Sequence, residues 1–142
     1  MKFDYFKFIL PQRSEFFGSS ILKPIIPIRI ALAESSLQYD ALIDSGADFS
    51  IFHEEIGRAL GIDIEAGRRL HFGGVQKAEA AVAYLHEINL IVGGWNYKTI
   101  AGFSNDISEK SYGILGQRGF FDIFVVKFDL GKEEIELSPR QR

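Results

Sequence analysis

Ala41-Leu42-Ile43-Asp44-Ser45-Gly46-Ala47-Asp48 sets a carboxylate at the end of an unbroken apolar triplet. Leu37 to Ile43 reads as a strand, so the chain delivers Asp44 to a buried strand end, with the Ser45 hydroxyl and the flexible backbone of Gly46 beside it. A carboxylate in that setting is costly unless something uses or pairs it. Ile114-Leu115-Gly116 again runs an apolar strand into a glycine, Gly116 standing 72 residues after Asp44. Asp-Ser-Gly alone is also ordinary turn chemistry, so Asp44 could be a turn aspartate. The second segment is what favours a site.

Working outward from Asp44, Ile25 to Leu32 reads as the preceding strand, with Pro24 and Pro27 placing its start at an edge or bulge and Ser35-Ser36 as the turn. Phe3 to Phe8 suits an aromatic-rich strand that Pro11 closes. Downstream, His53 to Leu60 reads as a short helix with Ile56, Ala59 and Leu60 on one face and Gly61 at its left-handed end. Arg69–Phe72 and Val82–Leu85 flank Gly73-Gly74 as one hairpin, and Ile88–Val92 with Trp95–Ile100 form another across Gly93-Gly94. Asn105 to Ser111 is polar and reads as a loop. Another helical turn is expected over Gln117–Phe121, then a hairpin from Phe124–Phe128 to Ile135–Leu137 and a solvated tail over 138–142. The sum is mainly β.

With 142 residues, 46% hydrophobic and 25% charged, the chain fits a single globular domain over 1–142. Its 16 Lys and Arg against 19 Asp and Glu, without a basic run, argue against a nucleic-acid partner. The absence of cysteine removes disulfides, thiolate metal sites and cysteine catalysis together. His53, His71 and His86 have no metal-ligand spacing, so no metal is expected. Gly113, Gly116 and Gly119 do not match the dinucleotide fingerprint, and Ser45 lies in no Gly-x-Ser-x-Gly elbow. The amino terminus lacks the apolar stretch of a signal peptide, and no run approaches the roughly 20 apolar residues of a membrane span. The expectation is a cytoplasmic protein without a membrane partner.

In order along the chain, four segments resemble the retropepsin-like aspartic proteases. Asp44-Ser45-Gly46-Ala47-Asp48 behind its apolar strand is similar to the family's hydrophobic-hydrophobic-Asp-Ser/Thr-Gly-Ala motif, and Ile114-Leu115-Gly116 to its second hydrophobic-hydrophobic-Gly motif. Phe72-Gly73-Gly74 lies at the place of the flap tip, and Gln117–Phe121 before Asp122 at that of the family's helix. The resemblance spans roughly Ile28 to Leu137; residues 1–27 have no clear counterpart. It implies a small closed β-barrel with one or two short helices and a flap hairpin.

The chemistry of that family needs two carboxylates sharing one proton, and the chain has one Asp-Ser-Gly; Asp129-Leu130-Gly131 lacks the hydroxyl residue. A homodimer supplies the second. The resemblance then implies Asp44 as the catalytic residue, with Ser45 bracing the two loops across the axis and Gly116 packing beneath them. Gly46, Ala47 and Asp48 would contact a peptide or protein substrate, under Phe72, Gly73 and Gly74, with no cofactor. Asp48 is open between substrate contact and capping its own turn, and Gly73-Gly74 between a flap and a plain hairpin turn. The alternative function is a non-catalytic dimeric module that binds extended peptide.

Overall fold

The computed structural model describes residues 1–73, 81–108 and 111–141. The strands, in chain order, are β1 (Lys2–Asp4), β2 (Phe6–Ser14), β3 (Gly18–Lys23), β4 (Ile25–Leu32), β5 (Ser35–Ile43), β6 (Ile51–His53), β7 (Arg68–Phe72), β8 (Ala81–Val92), β9 (Trp95–Ser104), β10 (Gly113–Leu115), β11 (Phe124–Asp129) and β12 (Glu134–Pro139). One α-helix, α1 (Glu54–Ala59), and a 3-10 turn at Ile64–Ala66 join β6 to β7.

Six strands close on themselves in the order β4-β5-β10-β6-β9-β8, the last returning to β4 through Arg29↔Ile91, Ile30↔Leu90 and Ala31↔Asn89. The expected mainly-β barrel is therefore observed. Along β4 the side chains alternate with period two: Ile26, Ile28 and Ile30 are buried, Pro27 and Arg29 exposed. Pro27, which has no N–H to give, precedes the stretch of β4 that β8 covers. Phe52, Phe103, Phe120 and Phe124 are fully buried in the same core, each contributing about 1.5–3 kcal/mol by the area it removes from water.

The two hairpins read from the sequence share one strand. β8 runs unbroken for 12 residues; its first half pairs with β7, its second with β4, and β9 lies along its other side from Tyr84↔Phe103 to Val92↔Trp95. Long-range pairing overrides the apparent break at His86-Glu87.

The helix also differs in its inner face. Ala59 is exposed, and the residue that turns inward is Gly57, where an added Cβ would come within 2.6 Å of Ile64 and 2.9 Å of Phe103. His53 is the N-cap, its Nδ1 accepting from the Glu55 amide at 3.2 Å, and Gly61 takes the expected left-handed conformation at φ +83°.

Three further expectations are corrected. β2 passes through Pro11 to Ser14, the proline falling where the register against β3 shifts between Ile9 and Ser14. Gln117–Phe121 is a set of turns rather than a helical turn: Gly119 sits at φ +101°, and Arg118 is drawn into a bridge with Phe49. The tail is paired further than expected, with Ser138 and Pro139 opposite Val125 and Phe124 and the Arg140 amide donating to Ile123 O at 2.7 Å. Residues 1–27, which have no counterpart in the resemblance, contribute β1 to a three-stranded sheet β1-β12-β11 and form the separate β2–β3 hairpin.

Candidate active site

Asp44 leaves β5 where that strand runs parallel to β10, in register Ala41↔Gly113, Leu42↔Ile114, Ile43↔Leu115. Its amide donates to Leu115 O at 3.0 Å, so the two apolar segments singled out in the sequence are neighbours that end at the same level of the barrel. Beyond that point the loop closes tightly. Asp44 Oδ1 accepts from the Gly46 amide at 2.9 Å, and the Ala47 amide donates to Asp44 O at 3.2 Å. The Asp44 carboxylate, half-buried, is held in place by its own loop.

The second segment staples this loop from below. Gln117 and Arg118 donate their amides to Ala47 O and Asp48 O at 2.8 and 3.0 Å, and the Ser50 amide returns to Arg118 O at 2.8 Å. Gly116 packs beneath, with room for no side chain: an added Cβ would overlap the Phe49 carbonyl and lie 2.9 Å from Ala47 O. Here glycine is required by close approach rather than by an unusual φ.

Of the residues expected to form the site, Asp44, Ser45, Gly46, Ala47, Asp48 and Gly116 lie together in this joint. Phe72 belongs to the same neighbourhood, its ring meeting Phe49 edge-on at 5.6 Å and 88°. Gly73 follows it at φ +124°, and Gly74 lies outside the described residues. Ser45 and Asp48 are exposed; the Ser45 carbonyl accepts from Gln117 Nε2 at 2.6 Å.

Several residues that hold the site have no signature in the sequence. Ser50, 2% exposed, accepts from the Gly116 amide at 3.1 Å and satisfies a buried donor. The Gln117 side chain ties Gly116's strand end to the Asp44 loop. Ser104, also buried, donates to Val82 O at 2.6 Å, while Asp106 Oδ2 accepts from the Val82 amide at 2.8 Å, clasping β8 near its start. Tyr39 donates to Ser111 O at 2.7 Å ahead of β10, and burial raises its hydroxyl above the usual tyrosine value, which keeps it a donor. Replacing Ser50 with alanine would orphan the Gly116 amide and is expected to cost about 1–3 kcal/mol, measured by urea unfolding against the parent chain. An unchanged midpoint would mean that the hydroxyl carries none of this joint.

A cavity of about 710 Å³ opens beside the loop, with Phe49, Leu70, Leu85 and Ile100 as its apolar wall and Asp48 and Arg118 on the loop side. Its size is within the range of small-ligand and side-chain pockets. Among its charged residues, Arg118 pairs with Asp122 at 3.7 Å and Lys98 with Glu87 at 3.6 Å. The histidines lie elsewhere in role: His53 caps α1, and His86 shares a 2.8 Å hydrogen bond with Ile64 O.

A retropepsin-like aspartic protease from Rickettsia conorii superposes on 96% of this chain and 89% of its own, with a TM-score of 0.59 at 14% identity. The fold is that of a retropepsin-like aspartic protease. A looser likeness, TM-score 0.47 at 19% identity over 67% of this chain and 82% of the other, is to EIAV protease complexed with the inhibitor HBY-793. No family model and no curated protein matches the sequence. The Rickettsia conorii superposition, covering 96% of this chain, extends into residues 1–27, for which the sequence resemblance offered no counterpart. Among the described residues, no helix is long and apolar enough to cross a membrane.

Proposed function

We propose that the chain is one half of an aspartic endopeptidase, with Asp44 of two copies facing each other across a two-fold axis. The observation that carries this is the joint itself: a carboxylate at the end of an apolar strand, fixed by its own loop and seated on a glycine that admits no side chain. One Asp44 carboxylate takes a proton from water as the water oxygen attacks the peptide carbonyl carbon, and the protonated carboxyl of the other gives its proton to the carbonyl oxygen. Collapse of the resulting diol returns a proton to the departing amine and breaks the C–N bond. No cofactor enters the sequence of steps.

In this assembly Ser45, exposed beside Asp44, braces the two loops across the axis. Gly46 keeps the approach to Asp44 open, since even a methyl there would lie 3.2 Å from Asp44 Oδ1. Ala47 and Asp48 take the backbone of an extended peptide, Phe72 and Gly73 cover it, and the cavity beyond Asp48 receives one of its side chains. Water is thereby kept from the reacting carbonyl.

Two carboxylates at contact distance hold one proton between them, so the cleavage rate is expected to fall on both the acid and the alkaline side of its maximum. The test is hydrolysis of casein or a mixed peptide pool across pH, with the fraction of dimer measured at each point. A rate that climbs steadily into alkaline buffer would point to another catalytic group. Peptide bound tightly and left intact at every pH would mark the chain as a binding module instead.

A further inference from the structure

The hairpin from Phe6 to Lys23 stands apart from the barrel. β2 and β3 pair only with each other, and among the described residues neither the core nor the half-buried apolar layer around it contains any residue of this stretch. A two-stranded hairpin is marginal in water by itself, and this one is about 30 Å long at the usual rise per residue. Five of its apolar side chains are nonetheless outside: Phe6, Phe8, Ile9, Phe16 and Phe17 are all exposed, Ile9 at 66% and Phe16 at 88%, while Leu10, Ile21 and Leu22 are half-buried. The tip is a built feature. Ser14 Oγ accepts from the amides of Phe16 and Phe17 at 3.2 and 3.1 Å, a turn that presents both rings outward in an edge-to-face pair 4.8 Å apart. Clustered apolar exposure of this kind marks an interaction surface.

The root of the arm says which surface it meets. Pro24, between β3 and β4, accepts through its carbonyl from the amide of Ile43 at 2.9 Å, one residue before Asp44, and Ile25 pairs with Leu42. The arm therefore leaves the barrel at the Asp44 end, where the proposed site is incomplete without a second copy. Its charges point the same way. The arm carries Lys7, Arg13 and Lys23 against Glu15, whereas the whole chain has 16 basic residues against 19 acidic ones, so the body is acidic. Lys7, near the root, already meets Glu133 of its own body at 3.9 Å, which leaves Arg13 near the tip among the charges free to face outward. Arm against arm repels; arm against another copy's body attracts.

We infer that this hairpin is the handle by which two copies of the chain hold each other, each arm lying on the body of the other copy at its Asp44 end. The inference rests on the proposed shared site, and two-fold symmetry makes the exchange reciprocal, with the interface counted twice.

The test compares the full chain with a variant carrying Phe6→Thr, Phe8→Thr, Ile9→Thr, Phe16→Ser and Phe17→Ser, by sedimentation over a dilution series with circular dichroism as the check on fold. The dimer dissociation constant is expected to rise by about 100-fold or more. The milder pair Phe16→Ser and Phe17→Ser, at the exposed tip, serves if the larger set disturbs folding, and should weaken the dimer in the same direction. Unchanged self-association in the variants, or a parent chain that is monomeric at every concentration, would overturn the inference. So would a monomeric parent that floats with vesicles of phosphatidylcholine and phosphatidylglycerol while the variant does not, which would make the arm a lipid-docking element. The chemistry is separable: if the arm variants dissociate but no condition ever yields cleavage, the handle stands and the protease assignment falls.

Discussion

Asp44→Asn is expected to lower peptide cleavage by about a thousandfold or more while leaving the dimer and the fold unchanged. The amide has nearly the shape of the carboxylate, and it can keep the hydrogen bond that Asp44 Oδ1 accepts from the Gly46 amide at 2.9 Å. It cannot take a proton from water at any ordinary pH. Nor can it share the single proton on which the pair depends, so the loss is chemical rather than structural. Matched preparations, compared for casein hydrolysis and for sedimentation, separate the two effects. Cleavage at the parent rate would remove Asp44 from the catalytic role.

Gly116→Ala is expected to be strongly damaging, costing about 3 kcal/mol and most of the activity. The methyl group would run into the Phe49 carbonyl and approach Ala47 O, both main-chain atoms of the Asp44 loop, so no side chain can swing away to make room. Relief requires moving the loop itself, and with it the amide bonds from Gln117 and Arg118 to Ala47 O and Asp48 O. Gly131→Ala is the control: its nearest neighbour, Asp129 Oδ1, would be 3.6 Å from the new methyl, an ordinary contact. Urea unfolding of the two variants should show a large shift of the midpoint for the first and little for the second. Equal shifts would mean that close packing under the loop is not what position 116 requires.

The strand ends at Asp44 and Gly116 were legible because each is local: an apolar run, then a residue that does not belong in a strand interior. Their pairing as β5 and β10, in register Leu115↔Ile43, is the long-range consequence. What sequence reasoning missed depends on contacts between distant residues. Ser50 reads as one more small polar residue between Phe49 and Ile51 until the Gly116 amide is found against it. Gln117 looked like the start of a helical turn, yet its amide side chain is a staple to Ser45 O. Ala59 suited the helical face better than Gly57 by hydropathy, and lost because Phe103 and Ile64 leave room for only a hydrogen there. Pro11 misled in the opposite sense, since a bulge in an edge hairpin tolerates the missing donor. Of the arm only Phe6 to Phe8 was read as strand; the rest left no signal, because its apolar residues lie outside the core that sets the hydrophobic pattern elsewhere.

The central claim is that two Asp44 carboxylates from different copies make one site, and a mixing experiment tests it most directly. Parent chain and Asp44→Asn are combined at fixed total concentration, allowed to exchange subunits, and assayed for cleavage at each ratio. If both carboxylates are needed, only dimers of two parent chains cut, and an equal mixture retains about one quarter of the parent activity. Retention of about one half would mean that each chain carries a complete site by itself, contradicting the shared one.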